Sequence, residues 1–211
     1  ECHEMRRALF GDRSVKDLCV FVLAMGCLVN AAHAGKMRYQ INLSYVDGLD
    51  DLADLYEDNW ELERLDDGYD YADADIFVWP VGISFSPFYQ WDNGLRAGIG
   101  VGPLVLMFGD VEHFEVPLSV RAGYAVNPSD PVSFYVFGGP SYHVAGGDYV
   151  DGSDLGFVVG AGVELIKKDN FSLGIEASYD SAEVKIDDIR HGGTEGIMTT
   201  EFSVGLFILF Q

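Results

Sequence analysis

The chain has 211 residues and a formal net charge of −21, the size of one medium domain. So strong an acidic excess disfavours nucleic-acid binding, because phosphate contacts need a basic surface. Glycine is abundant at 25 and aromatics reach 13%, a mix that suits a small barrel, where inward glycines give room and aromatics sit at interfaces.

Residues 1–34 read as a processing segment. Arg6, Arg7, Arg13 and Lys16 form a basic region, and Leu18 to Val29 is apolar but too short to span a bilayer comfortably. Ala32-His33-Ala34 fits an A-x-A site, so cleavage is expected between Ala34 and Gly35, leaving 35–211 as the barrel domain. Residues before Met5 read as an upstream extension. Lipoprotein processing at Cys27 is the alternative, but the preceding A-M-G lacks the usual leucine. All three cysteines (Cys2, Cys19, Cys27) fall in this leader, so the mature chain is expected to carry no disulfide and no thiol chemistry. The leader holds four basic and four acidic residues, so the whole charge imbalance belongs to the mature part.

Met37 to Val46 alternates: Tyr39, Ile41, Leu43 and Tyr45 on one side, Arg38, Gln40, Asn42 and Ser44 on the other. This predicts strand one, apolar outward and polar inward. Asp47 to Asp75 is an acidic insertion with thirteen carboxylates against the single base Arg64. Leu49, Leu52, Leu55, Tyr56 and Trp60 recur at helical spacing within it, predicting a short surface helix. Ile76 to Phe88 is expected as strand two, then D-N-G marks a tight turn before strand three, Leu95 to Phe108. Strand four is His113 to Val126, with His113, Glu115, Ser119 and Arg121 on the polar side. After N-P-S-D-P, strand five runs Val132 to Ala145, its register broken or bulged near Gly138-Gly139. Gly146 to Asp154 reads as a loop, Leu155 to Ile166 as strand six, Phe171 to about Val184 as strand seven, and Lys185 to Ile197 as the last loop.

The last strand, Thr199 to Phe210, puts Phe202, Val204, Leu206, Ile208 and Phe210 on one face and Glu201, Ser203 and Gly205 on the other. About ten residues is the length of a tilted strand crossing a bilayer. A lone apolar edge in water would aggregate, so this strand must close against a partner. The count is eight, and tight turns at one end face longer polar connections at the other, short only after strand three, as expected of an outer-membrane barrel. A water-soluble barrel would bury its apolar residues inward. Here the inward set is Gly, Ser, Arg and Glu. The fold class is therefore all-β: an eight-stranded antiparallel up-and-down transmembrane barrel.

Three runs carry a family likeness: G-A-G-V-E-L (Gly160 to Leu165), N-F-S-L-G-I-E-A-S-Y (Asn170 to Tyr179), and the terminal strand ending in Phe210. Over Gly35 to Gln211 the chain resembles the small eight-stranded outer-membrane barrels of Gram-negative bacteria, of the OmpA transmembrane-domain, opacity-protein and OmpX type. The resemblance implies that Phe210 is the signal read by the barrel-assembly machinery, although here Gln211 follows it. It identifies an architecture, not an activity.

Three constellations are candidates for function. Arg38, Arg96, Arg121, Glu164 and Glu176 all face inward toward the periplasmic half. An eight-stranded interior is just wide enough for side chains to fill, so these charges must pair, as a structural plug or as the gate of a narrow pore. In the acidic insertion, Asp47, Asp50, Asp51 and Asp54, or Asp67, Asp70, Asp73 and Asp75, offer oxygen ligands for calcium, without EF-hand spacing. A solvated, self-repelling surface explains them as well, and divalent bridging to lipopolysaccharide is a further option. Ser141 and His143 share a face of strand five, the residue types of a lipid A hydrolase, but no acidic orienter is identifiable. Tyr39, Tyr45, Trp79, Trp91, Tyr124, Tyr142 and Tyr179 near strand ends predict interfacial girdles. No phosphate loop, zinc spacing or cofactor fingerprint appears, and no cofactor is expected. The expected protein is a monomer amid lipid and lipopolysaccharide, without enzymatic activity. It serves the envelope or meets surface partners through acidic loops. A narrow passive channel is the alternative, and a hydrolase the weaker one.

Overall fold

The computed structural model describes residues 35–69 and 74–211. The expected leader and Ala34 lie outside the described residues, as do Asp70 and Asp73; Gly35 begins the first strand. The described elements are β1 (Gly35–Val46), α1 (Leu49–Asp66), β2 (Ile76–Val78), β3 (Val81–Trp91), β4 (Leu95–Val101), β5 (Val105–Gly109), β6 (His113–Val126), β7 (Ser133–Gly147), β8 (Val150–Ser153), β9 (Leu155–Lys167), β10 (Phe171–Asp180), β11 (Val184–Asp188), β12 (Gly193–Ile197) and β13 (Phe202–Phe210).

Pairing runs β1–β3–β4–β6–β7–β9–β10–β13 and returns to β1, closing an eight-stranded antiparallel barrel. The closing strand bonds to both neighbours, with Phe210 opposite Tyr39 on β1 and Phe171 on β10. Closure leaves no unpaired edge, the condition for strands to cross lipid. Along β1, Tyr39, Ile41, Leu43 and Tyr45 are exposed while Arg38, Gln40, Asn42 and Ser44 are buried. The barrel is thus apolar outward and polar inward, and its exposed apolar belt is the face that lipid covers. The predicted girdle residues Tyr39, Tyr45, Trp79, Tyr124, Tyr142 and Tyr179 stand on that outer surface.

Several expected boundaries shift. Strands two and three are each broken, at Trp79-Pro80 and at Gly102-Pro103-Leu104, because proline has no N–H for the ladder. Gly102 turns the chain with φ 92°, and a Cβ there would press on the Ile83 carbonyl at 2.6 Å, so only glycine serves. The break expected in strand five is absent as a register change. Ser119 pairs Ser141 and Ala122 pairs Gly138 in one continuous register, with the ladder skipped only beside Pro140. The bulge lies instead in β9, opposite Leu173/Gly174, where Leu165 is left without a partner. Strand seven ends at Asp180. The last expected loop forms the hairpin β11–β12, which takes β8 as a third strand.

The helix α1 has 18 residues, longer than predicted. Gly48 starts it at φ 90°, where a Cβ would collide with the Met198 carbonyl, and Asp50 and Asp51 sit in its first turn, favourable at the positive end of the helix dipole. Its apolar stripe places Leu52 and Tyr56 in a buried cluster with Met107, Val111, Val184, Ile186 and Ile197 at the extracellular mouth. A second cluster, Phe88, Ala125, Tyr135, Phe137, Val158, Phe207 and Leu209, lies inside the periplasmic half. The lumen is therefore not wholly polar, as the alternation alone implied. β3, β7 and β13 turn aromatic rings inward there.

Candidate functional site

The five predicted luminal charges are buried or nearly so, and they fall into two groups. In the lower group, the Arg38 guanidinium on β1 meets Glu164 on β9 as a fork. Nη1 donates to Oε1 at 3.2 Å and Nη2 to Oε2 at 3.3 Å. Arg38 also donates to Gln90 Oε1 at 2.8 Å and Ser172 Oγ at 3.2 Å. Arg96 on β4 donates through Nη2 to the same Glu164 Oε1. A fourth member was missed by sequence reasoning: Lys167 Nζ lies 3.6 Å from Glu164 Oε2. Period two would send Lys167 outward, three positions from Glu164. The bulge at Leu165 leaves both Leu165 and Ile166 on the lipid side and turns Lys167 back toward the lumen.

The second group is centred on Glu176 of β10. Its carboxylate accepts from Tyr135 at 2.6 Å, Gln40 at 2.7 Å and Asn42 at 3.0 Å, with Arg121 Nη1 3.7 Å away. Arg121 on β6 donates through the same Nη1 to Ser86 Oγ at 3.2 Å and through Nε to Ser119 Oγ at 2.8 Å. A cavity of about 40 Å³ lies on one side of this pair, lined by Phe88, Arg96, Tyr135 and Phe137 among others. A smaller one of about 10 Å³, lined by Asn42, Ser44, Ser84, Ser178 and Ser203, adjoins it. Arg121 and Glu176 line both.

A third group closes the extracellular end. Glu115 Oε1 lies 2.5 Å from His143 Nδ1 and accepts from Thr199 Oγ1 at 2.6 Å, while Oε2 lies 3.4 Å from His113 Nε2. His143 Nε2 in turn lies 3.5 Å from Asp180 Oδ2. Tyr56 reaches down from α1, its oxygen 2.9 Å from His113 Nδ1 and its hydroxyl proton donated to the Asp148 carbonyl. Burial, then the nearby Asp148 and Glu115, push this phenol well above its ordinary range, so it remains a protonated donor. Asn59, a turn further along α1, donates to the Asp187 carbonyl and accepts from the Ile189 N–H at 3.0 Å. These contacts pin the helix across the mouth.

Ser141 and His143 both belong to this group, and both meet Asp180. Ser141 donates to Asp180 Oδ1 at 2.5 Å, and the His143 nitrogens face Glu115 and Asp180. Glu115 and Asp180 are the acidic partners that sequence reasoning did not identify. Glu115 stood beside its partner His113 in the inward alternation of strand four, but nothing in that strand pointed to His143 or Thr199. Asp47, Asp50, Asp51 and Asp54 are exposed to solvent, and no three metal-capable side chains gather among the described residues. Phe210 stands on the lipid face, and Gln211 continues beyond it, donating its N–H to the Asn170 carbonyl at 3.2 Å.

The family model for the outer membrane protein beta-barrel domain matches residues 19–210. No curated protein matches the sequence significantly. Among solved structures, the chain is similar to the outer membrane protein OprG from Pseudomonas aeruginosa, at 10% identity and TM-score 0.49 over 84% of this chain and 97% of that one. Outer Membrane Protein W of E. coli aligns at 12% identity and TM-score 0.48, covering 85% and 98%. Neisserial surface protein A aligns at 14% and 0.43, covering 84% and 99%. With a closed apolar-out ring of eight strands and a family match over nearly its whole length, this protein is an integral barrel of the bacterial outer membrane and belongs to the outer membrane protein beta-barrel domain family.

Proposed function

We propose that this protein is a non-enzymatic outer-membrane barrel whose lumen is a structural plug and whose working surface is the acidic extracellular cap. One observation carries the reading: the lower lumen is bridged from wall to wall by Arg38, Arg96 and Lys167 converging on the fully buried Glu164. Above that bridge the cap offers exposed carboxylates on α1. These suit cationic partners, or divalent ions shared with lipopolysaccharide. Assembly by the barrel machinery through Phe210 and a monomeric state are part of this reading, as is removal of the leader at Ala34–Gly35.

Single-channel recording tests it. The folded barrel, checked by heat-modifiable gel migration, is expected to be silent in a planar bilayer. A narrow channel is the second reading, favoured by the position of the long Arg121–Glu176 contact between two cavities. Discrete openings in the wild type, altered by Arg121→Ala, would put that reading first.

The absence of hydrolase activity is supported by Ser141, whose hydroxyl is bonded to Asp180 and not to an imidazole. Expression of the protein and of Ser141→Ala is expected to give identical lipid A acylation by mass spectrometry. Loss of an acyl chain with the wild type alone would make the protein an enzyme.

A further inference from the structure

The cavity beside Arg96 and Arg121 has a charge that its surroundings do not balance. In the lower and middle lumen, the inward charged groups among the described residues are three guanidiniums, the buried Arg38 and Arg96 and the half-buried Arg121, against two buried carboxylates, Glu164 and Glu176. Lys167 adds further positive charge at the periplasmic rim. One positive charge is thus left over inside a wall surrounded by lipid, where unpaired burial is strongly disfavoured. The hydrogen-bond pattern carries the same deficit. Arg38 and Arg96 are 2% and 7% exposed, yet the Nε of each finds no hydrogen-bond partner among the described residues.

Both guanidiniums that line the cavity are held by ring faces. Arg96 stands 4.3 Å over Tyr135 and 5.1 Å over Phe88, and Arg121 stands 4.8 Å over Phe137. Cation–π contact positions a guanidinium without cancelling its charge. At about 40 Å³ the cavity admits about three water-sized spheres. That excludes sulfate with its hydration and any organic acid larger than formate. The apolar side chains in the lining disfavour an ion that holds its water tightly.

We propose that this cavity binds one small, weakly hydrated monovalent anion of the halide class between Arg96 and Arg121. The ion brings the inner charges to balance. The site is independent of whether the lumen conducts.

Charge arithmetic gives variants of opposite sign. Arg121→Met leaves two guanidiniums against two carboxylates and removes the demand for an anion. Glu176→Gln leaves three against one and increases it. The measurement is the apparent unfolding temperature of the protein, extracted from the outer membrane into detergent micelles, in chloride, bromide or gluconate at equal ionic strength. The wild type is expected to melt about 5 °C higher in either halide than in gluconate. The difference should vanish in Arg121→Met and widen in Glu176→Gln. Equal melting in all three salts would overturn the proposal and leave the cavity to water. An undiminished halide effect in Arg121→Met would overturn it too, assigning the effect to the surface or to an adventitious ion only. Should Arg121→Met fail to fold, Glu176→Gln decides: an unchanged or smaller halide effect refutes the site.

Discussion

Glu164→Ala is expected to lower barrel stability by about 3–5 kcal/mol, because it strands buried cations that have no second carboxylate within reach among the described residues. Glu164 has no exposed surface and is the shared acceptor of Arg38, Arg96 and Lys167. The neutral acceptors that remain, Gln90 and Ser172 to Arg38 and Ser133 and the Pro128 carbonyl to Lys167, bond to the donors without offsetting their charge. Lys167→Ala is expected to cost well under this, about 1 kcal/mol or less, since Lys167 sits at the rim and solvent screens it. Urea titration in micelles, read by heat-modifiable migration, measures both. A Glu164→Ala cost no larger than that of Lys167→Ala would mean that water reaches the guanidiniums, and the plug reading would fail with it.

Tyr56→Ala should cost about as much, about 3–5 kcal/mol, but in the cap and not in the barrel. Tyr56 is fully buried, packs edge-on against the rings of His113 and Tyr149 at 5.6 and 5.3 Å, and is hydrogen-bonded to His113 and Asp148. Truncation leaves a void in the cluster that α1 shares with β5 and β11, and the buried His113 and the Asp148 carbonyl lose a partner. The expected outcome is trypsin cleavage after Arg64 in intact cells, with the heat-modifiable barrel band unchanged. Tyr56→Phe, which keeps the ring, should fall between wild type and Tyr56→Ala. Loss of the folded band in Tyr56→Ala would show that cap and barrel unfold as one unit.

The lipid-facing and luminal faces were legible from the sequence because a strand has one period and a barrel two environments. Arg38, Gln40, Asn42 and Ser44 alternate with apolar residues, and all four are buried inside. What escaped was whatever breaks the period or spans the ring. Lys167 is luminal only because Leu165 bulges. Pro80 and Pro103 interrupt strands whose apolar pattern runs on past them. The sheet β12–β11–β8 is built from stretches such as D-G-S-D and H-G-G-T, whose turn chemistry masks short pairings stabilised by the cluster beneath them. The inward partners of Glu176, namely Gln40, Asn42, Arg121 and Tyr135, come from strands far away in the chain. Alternation says that a side chain enters the lumen, not whom it meets across it.

The cap has a temporal consequence. Tyr56 bonds to residues 113 and 148, and Asn59 to residues 187 and 189, so α1 is tied to segments from most of the remaining chain. Contacts so distant in sequence form late, after the loops between them have closed. Ring closure is later still in sequence terms, since β1 waits for β13. The acidic segment must therefore travel outward before its helix has anything to dock on. Its self-repelling carboxylates would keep it extended and unaggregated over that interval. A docked α1 thus requires β6 and β11 to be in place, and it can precede the pairing of β1 with β13 that closes the ring.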